Sequence, residues 1–497
     1  MKSLDAIERV GNKLPHPVTL FAIFAGLVIV GSAIASFSGL TVFDPVEKEE
    51  LNVFNLLSKA GIQYMFESAV DNFIGFAPLG TVLVTMLGIG IAERSGLISA
   101  ALKALVTSVP KQLITATLVF AGIMSSMASD AGYVVLTPLG AVLFAGLGRH
   151  PLAGLAAAFA GVSAGFSANL LLTSLDPLLG DLTKMAAATE NAAYAEQMTY
   201  LMNYYFMVVS VFLLTIVGTF VTEKIVEPRL GKYKGAHEEM VDHLDPIEKK
   251  GLWAALISLI ITSILLSLLI VPSWGPLRGE GSIIEAPFFQ VLVPIILLFF
   301  FIPGLTYGIV TKEIKSDKDV ANHLSETMAS MGSYILLAFA AGQFVAYFNH
   351  TNLGRILAIK GADFLNETGF TGIPLILAFL VVTGLINLFI GSASAKWAIM
   401  APVFVPIMMR LGYSPEFTQA LYRIADSTTN IISPLMPYFA VVIAFAQKYD
   451  KKVGIGTLIS TMLPYSVIFS IVWTITIIIW MLLGIDLGPG APLYYNG

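Results

Sequence analysis

The chain has 497 residues, of which 56% are apolar (AVILMFWYC) and only 12% charged, about half the ~25% usual in soluble domains. So few charges cannot build a soluble surface; with a mean hydropathy of +0.80, the composition excludes soluble, fibrous and disordered classes and indicates a polytopic membrane protein. A net charge of −5 leaves no nucleic-acid footprint, and zero cysteines with six scattered histidines exclude disulfides, thiolate chemistry, cysteine metal sites and an HExxH motif.

Residues 1–15 carry Leu4, Ile7, Val10 and Leu14 at helical spacing, which predicts a short amphipathic helix on the membrane surface. The run from Val18 to Phe37 is too long for a signal-peptide core and reads as a retained transmembrane helix. A span needs ~20 mostly apolar residues. Such runs lie near 16–37, 71–92, 152–175, 200–222, 251–272, 286–308, 322–347, 416–446 and 456–483, nine in all. Two further apolar stretches, 112–148 and 372–411, are interrupted by SSMASD at 125–130 and GSASAK at 391–396. Each has room for two half-helices but not for two crossings, so both read as re-entrant hairpins, whose irregular backbone must lie in protein or line a cavity. The expected fold is therefore an all-α polytopic membrane protein with nine transmembrane helices and two re-entrant helical hairpins.

Lysine and arginine set the orientation. Loops 223–250, 309–320 and 447–454 are basic and read as cytoplasmic; 38–70 is acidic and 484–497 has no Lys or Arg, so both read as outside. This puts the N-terminus inside and the C-terminus outside. Lys111 and Arg149 open the first hairpin to the inside. The second opens outward, against the rule at Arg355, Lys360 and Arg410.

A shift of 264 residues aligns Pro138 with Pro402, Leu147 with Leu411, Gly148 with Gly412, Pro151 with Pro415 and Ser163 with Ser427. The shared grammar is hairpin tip, half-helix, Leu-Gly-x-x-Pro, then a span with polar residues at mid-depth. Small residues also match by chance in apolar sequence, but the opposed charge flanks point to an inverted repeat, the pattern of secondary transporters with a site where the repeats meet. The expected organisation is 1–70 as surface helix, first span and outer loop; 71–199 as the first repeat half; 200–310 as scaffold and dimerisation spans; 311–454 as the second half; and 455–497 as last span and outer tail.

The densest polar signal is Arg423, Asp426, Ser427, Thr428, Thr429 and Asn430 within one span. Ionisable groups inside a membrane cost a few kcal/mol and usually face a cavity or a partner. Three apart on a helix, Arg423 and Asp426 are expected to share a face and hold each other; a purely structural pair would satisfy both. Ser427–Asn430 and then Ser433–Pro434 are expected to break the helix, and such ends hold cations at carbonyls and anions at N–H groups. In the first copy Ser125, Ser126, Ser129 and Asp130 form the tip, and Ser163, Ser167 and Asn169 lie in the following span. Ser126, Ser129, Ser163 and Asn169 are oxygen ligands suited to Na⁺, although small-residue helix packing enriches the same types. Trp397, next to the second tip, is a stacking surface, a lid or a packing anchor. Asp176, before Pro177 at the outer end of 152–175, is a proton carrier or a simple helix end.

SSMASDAGYVVLTPLGAVLFAGLGRHPLAG, GSASAKWAIMAPVFVPIM and YRIADSTTNIISPLMPYF resemble the signature regions of the p-aminobenzoyl-glutamate transporter (AbgT) family, within the wider ion-transporter superfamily, over essentially the whole chain. The resemblance implies a homodimer, a scaffold beside a mobile transport domain, substrates such as p-aminobenzoyl-glutamate, and export of sulfonamide antimetabolites by some members. It carries functional positions onto Asp176, Asn387, Ser394, Trp397, Pro415, Arg423, Asp426 and Pro434. Together these give a secondary transporter of a bacterial-type inner membrane, for aromatic amides with carboxylates, with no cofactor beyond a candidate Na⁺. Arg423 would hold a carboxylate, Trp397 the ring, and Asn387 and Ser394 the amide. Pro415, Asp426 and Pro434 would also belong to the substrate-binding set. Asp176, Asp426, Asp130, Ser129, Asn169 and Asn430 would couple transport to H⁺ or Na⁺. The rival classes are a dicarboxylate symporter, a channel, and an intramembrane enzyme, which lacks a catalytic histidine or GxSxG.

Overall fold

The computed structural model describes residues 17–44, 49–76, 78–108, 110–128, 132–233, 244–278, 291–388, 390–433, 436 and 438–495. The expected surface helix over 1–15 lies outside the described residues. The chain is mostly helical. Helix α1 (Pro17–Phe37) leads into a two-stranded antiparallel ribbon, Thr41–Asp44 with Glu49–Asn52. Then come α2 (Lys59–Glu67), α3 (Ala69–Ile74), α4 (Pro78–Arg94) and α5 (Leu97–Thr107). The first repeat follows as α6 (Ile114–Met124), α7 (Thr137–Gly146), α8 (Pro151–Phe159, prolonged by a π turn over Ala160–Ala164) and α9 (Leu175–Ala188). After it run α10 (Ala192–Gln197), α11 (Tyr204–Val221), α12 (Pro246–Ile270) and α13 (Leu292–Thr311). Helices α14 (Asp317–Ser330), α15 (Gly332–His350) and α16 (Leu353–Glu367) precede the second repeat. That repeat comprises α17 (Gly372–Asn387), α18 (Ala393–Arg410), α19 (Pro415–Asn430) and α20 (Phe439–Gln447). The last helix is α21 (Ile455–Leu483).

Among the described residues, five helices are long and apolar enough to cross a bilayer: Val18–Phe37, Tyr204–Leu230, Pro246–Ile270, Leu292–Thr311 and Ile455–Leu483. Two pairs qualify together but are bent, α4 with α5 by 62° and α14 with α15 by 44°. The first bend sits at Gly96, whose φ of 86° is the left-handed conformation only glycine adopts without strain.

Two expected spans are not continuous. The helix begun at Pro151 stops at Ala164, and the chain becomes helical again only at Leu175. The helix begun at Pro415 stops at Asn430 and resumes at Phe439. The second stop falls where Ser427–Asn430 and Ser433–Pro434 were expected to break the helix, although residues 427–430 themselves still form its last turn. Thr428 and Thr429 donate their hydroxyls back to the carbonyls of Ile424 (2.9 Å) and Ala425 (2.7 Å), which satisfies them in helical geometry.

The two copies match in detail. Helix starts at Pro151 and Leu175 correspond, at the same shift of 264, to those at Pro415 and Phe439. The loop before each is closed identically. Arg149 N–H bonds Phe144 O (2.8 Å) and Gly148 N–H bonds Ala145 O (2.9 Å); Tyr413 N–H bonds Met408 O and Gly412 N–H bonds Met409 O, both at 2.9 Å. This is a helix stop with a left-handed glycine (φ 70° at Gly148, 85° at Gly412). His150 and Ser414 then cap the next helix, and Pro151 and Pro415 open it, where a missing N–H costs nothing.

Small residues bring helices into backbone contact. A Cβ on Gly154 would collide with the carbonyl of Gly140, so α8 lies directly on α7. A Cβ on Gly88 would collide with Leu297, which fixes α4 on α13. Helix α19 lies at the centre, packed on α17, α18, α9, α21 and the π turn after α8.

Candidate functional site

Helix α19 buries every residue but Thr429 among its sixteen, and its charges must therefore find partners inside the protein. Arg423 turns toward the first repeat. Its Nη1 bonds Asp176 Oδ1 at 2.8 Å and its Nη2 bonds Ser167 O at 2.9 Å, while Nε has no hydrogen-bond partner. Ser167 N–H in turn donates to Ser427 Oγ (3.1 Å). Asp176 lies in the first turn of α9, where the helix dipole favours an anion. Its Oδ2 accepts from Thr173 N–H (2.7 Å), Thr173 Oγ1 (3.0 Å) and Asn169 Nδ2 (3.4 Å). Asp176 is thus partnered inside the protein. It is buried, 4% exposed, because the chain between Ala164 and Leu175 folds back into the protein as an irregular segment.

Asp426 turns the other way. Its Oδ1 lies 2.5 Å from Lys396 Nζ and 3.4 Å from Tyr422 Oη. The expected Arg423–Asp426 pair is replaced by two pairs, Arg423–Asp176 and Lys396–Asp426, with all four groups buried. Three residues on a helix separate side chains by about 60° around the axis. Here that angle is enough to aim the two at different neighbours.

Asn387, the last residue of α17, joins the breaks of the second repeat. Its Nδ2 contacts Asp426 O (2.7 Å), Thr429 Oγ1 (2.7 Å) and Asn430 Oδ1 (2.9 Å); its Oδ1 accepts from Lys396 Nζ, and its backbone carbonyl accepts from Ser433 Oγ (3.1 Å). Trp397 is fully buried. It stacks on Tyr422 (centroids 4.4 Å apart, 28° between planes) and donates Nε1–H to Thr183 Oγ1 at 2.9 Å. The line continues from Thr183 to Gln419 (2.5 Å) and from Gln419 to Asn203 (3.0 Å). Ser394 sits in the first turn of α18, 3.2 Å from Ser392 Oγ, and lines a small cavity with Phe21, Tyr334 and Ala398. Pro415 is the first residue of α19.

The oxygen ligands expected for Na⁺ have separate partners or none. Ser163 Oγ faces Met436 Sδ (3.4 Å), Asn169 faces Asp176, and Ser126 Oγ is buried with no hydrogen-bond partner. No hydrogen bond joins these three among the described residues. Ser129, Asp130 and Pro434 lie outside the described residues.

Lys396, Thr183, Gln419, Asn203 and Tyr422 complete these networks and were not expected as site residues. Lys396 had a signal: it is the one Lys or Arg between Lys360 and Arg410. Asp181 was noticeable only as a neighbour of Asp176. It accepts from Thr81 Oγ1 (2.8 Å) and Tyr200 Oη (2.9 Å), tying α9 to α4. An apolar groove of about 580 Å³ runs beside the charged centre between α17, α19 and α21, lined by Val381, Leu385, Ile424, Thr428, Thr429 and Ile475 among others.

The profile of the AbgT putative transporter family matches residues 2–495. The chain is 38% identical over 486 residues to the p-aminobenzoyl-glutamate transport protein of Escherichia coli K12, covering 97% of this chain and 95% of that protein. The crystal structure of the Alcanivorax borkumensis YdaH transporter superimposes with a TM-score of 0.91 at 43% identity, covering 96% of this chain and all of the other. The structure of Neisseria gonorrhoeae MtrF, which is described as illuminating a class of antimetabolite efflux pumps, superimposes with a TM-score of 0.92 at 48% identity, covering 98% of this chain and all of the other.

Proposed function

Because the chain belongs to the AbgT putative transporter family, we propose that it is a secondary active transporter of aromatic amides bearing carboxylates, of the p-aminobenzoyl-glutamate kind. Arg423 carries this reading. It is a buried planar fork where the two repeats meet, held by one carboxylate and one carbonyl, with Nε free. A carboxylate leaving water needs charge-assisted partners, and guanidinium matches it bidentately.

In this reading the substrate carboxylate takes the place of Asp176 on Arg423. A proton on Asp176, or an Na⁺ drawn against it beside Asn169, removes its claim on the guanidinium and couples ion to substrate. Trp397 and Tyr422 part to receive the aromatic ring, each exchanging one stacking partner for another. Asn387 and Ser394 contact the amide, and Asp426 and Asn430 hold the adjoining break. Antimetabolites of sulfonamide type, with a similar aromatic amine, are a second cargo of the same site.

The protein is a multi-pass membrane protein. The five long helices, the two bent pairs and the two interrupted helices give nine crossings in this reading, with α6–α7 and α17–α18 as re-entrant hairpins. The repeats over 71–199 and 311–454 form a transport unit that moves against scaffold at 1–70, 200–310 and 455–497. The protein is a homodimer in an inner membrane, N-terminus cytoplasmic and C-terminus periplasmic.

The test is counterflow of p-aminobenzoyl-glutamate in proteoliposomes with pH and Na⁺ gradients imposed separately. Wild type accumulates substrate, Arg423→Ala and Arg423→Lys are strongly impaired, and Asp176→Asn still exchanges substrate but no longer responds to the coupling gradient. Wild-type transport by Arg423→Ala would sink the proposal.

A further inference from the structure

Lys396 is unused by that reading. Its side chain is completely inaccessible. An ammonium has three donors, and three oxygens surround this one: Asp426 Oδ1 at 2.5 Å, Ile390 O at 3.2 Å and Asn387 Oδ1. One is a carboxylate, one a side-chain amide, one a backbone carbonyl freed where α17 ends. Hard oxygens of these types, at the open end of a broken helix, are what alkali cations bind in transport sites. At the repeat shift of 264, Lys396 corresponds to Gly132, or to Ala131 with a one-residue gap at the tip; Asp426 corresponds to Val162 and Asn387 to Ile123. The backbone plan is shared by both copies, but this charged cage belongs to the second alone.

We propose that Lys396 is a tethered cation: its ammonium occupies a cation site built from Asn387, Ile390 and Asp426 at the second helix break, and fills it permanently. The second break is thereby closed without an ion from solution, and the coupling ion acts elsewhere, at Asp176. The cage also positions α19, since Asp426, locked by Lys396 and Asn387, sets the rotation that points Arg423 toward Asp176. The inference deepens the transport reading by naming the ion status of the second repeat. Its test reads cation binding and not transport, so the two can fail separately.

Removing the ammonium should turn the cage into an Na⁺ site. The experiment is equilibrium binding of radiolabelled Na⁺ to purified protein, with melting curves in NaCl and in choline chloride, for wild type, Lys396→Ala and Lys396→Ala/Asp426→Asn. Lys396→Ala is expected to bind one more Na⁺ per chain than wild type and to show a saturable rise in melting temperature with Na⁺ that choline does not reproduce. Adding Asp426→Asn should abolish both gains. If Lys396→Ala can be purified only in Na⁺, the proposal is equally supported. No extra Na⁺ and no Na⁺-specific shift, or failure to fold in either salt while the double variant folds in both, would overturn it and leave Lys396–Asp426 a neutralising pair only.

Discussion

Arg423 and Asp426 sit on one helix and answer to different partners, and this separates variants that look alike on paper. Truncating one member of a buried pair strands the other charge and typically costs about 3–5 kcal/mol. Arg423→Ala should pay this through Asp176, which is 4% exposed. Asp176→Ala should therefore recover part of the stability lost in Arg423→Ala, with a coupling on the order of 2–3 kcal/mol. Asp426→Ala should couple to it more weakly. Reversible unfolding of the singles and both doubles measures this; stronger coupling to Asp426 would contradict the pairing. Trp397 gives a second contrast. Trp397→Phe keeps a ring on Tyr422 but loses the bond to Thr183, about 1 kcal/mol. Trp397→Ala also opens a cavity, about 3–5 kcal/mol. A wild-type melting temperature for Trp397→Phe would remove the indole N–H from the account, and comparable losses in the two variants would remove the cavity. At this scale Asp176, Arg423 and Asp426 stood out in the sequence, since a charge in an apolar run has few reasons to be there, whereas the uncharged Thr183, Gln419 and Asn203 did not. The pairing of the charges did not stand out either, because a three-residue spacing fixes the angle between side chains and leaves open which helices stand at each side. The role of Lys396 was harder to see: as the last residue of GSASAK it read as part of a polar hairpin tip, and only the tertiary contact with α19 shows its partner.

Each repeat is punctuated by local rules that a reader of the sequence can apply. Leu-Gly-x-x-Pro stops one helix and starts the next in both copies, and the spacing of the two copies was visible as a constant shift. The polar run Ser427–Asn430 marked where α19 gives out, at Asn430; what stayed invisible was where α8 does. Ser and Thr can break a helix or bond back into it, and at Thr428 and Thr429 the second choice wins. Glycines at the two kinds of junction should respond differently. Gly412 has φ 85° and open space around its Cβ position, so Gly412→Ala carries only the left-handed backbone cost, about 1–2 kcal/mol, and Gly412→Asn less. Gly154 is limited by the Gly140 carbonyl across the α7–α8 contact. Gly154→Val must push the helices apart, and we expect it to prevent recovery of folded protein. Fluorescence-detected size exclusion of the variants reads the difference. A monodisperse Gly154→Val with wild-type melting would show that the close approach is dispensable.

The whole molecule leaves a great deal of apolar surface uncovered, as a membrane protein must, and length and composition were enough to expect that. The number of crossings was harder, since two of the expected spans are interrupted and two others bent, and apolar content does not record a bend. Among the long helices α12 is the least enclosed. It buries Gly251, Ala255, Thr262 and Leu266 against its neighbours, while Trp253 (67%), Ile257 (56%) and Ile264 (56%) stand outward. Lipid tails would satisfy these side chains, and so would a second subunit; the hydrophobic effect does not choose between them. The absence of cysteine from the chain makes the choice measurable without a background. In a homodimer joined through the 200–310 spans, single cysteines placed at Trp253, Ile257 or Ile264, and at Phe212 on α11 for comparison, should give at least one position that cross-links to twice the subunit mass upon mild oxidation in native membranes. Positions facing lipid should stay monomeric on the same gel. Native mass measurement of the unmodified protein should give the same stoichiometry. If every position stays monomeric and the native mass is that of one chain, the outward face of α12 belongs to lipid and the protein works as a single subunit, with its whole site, from Asp176 to Lys396, already present within one chain.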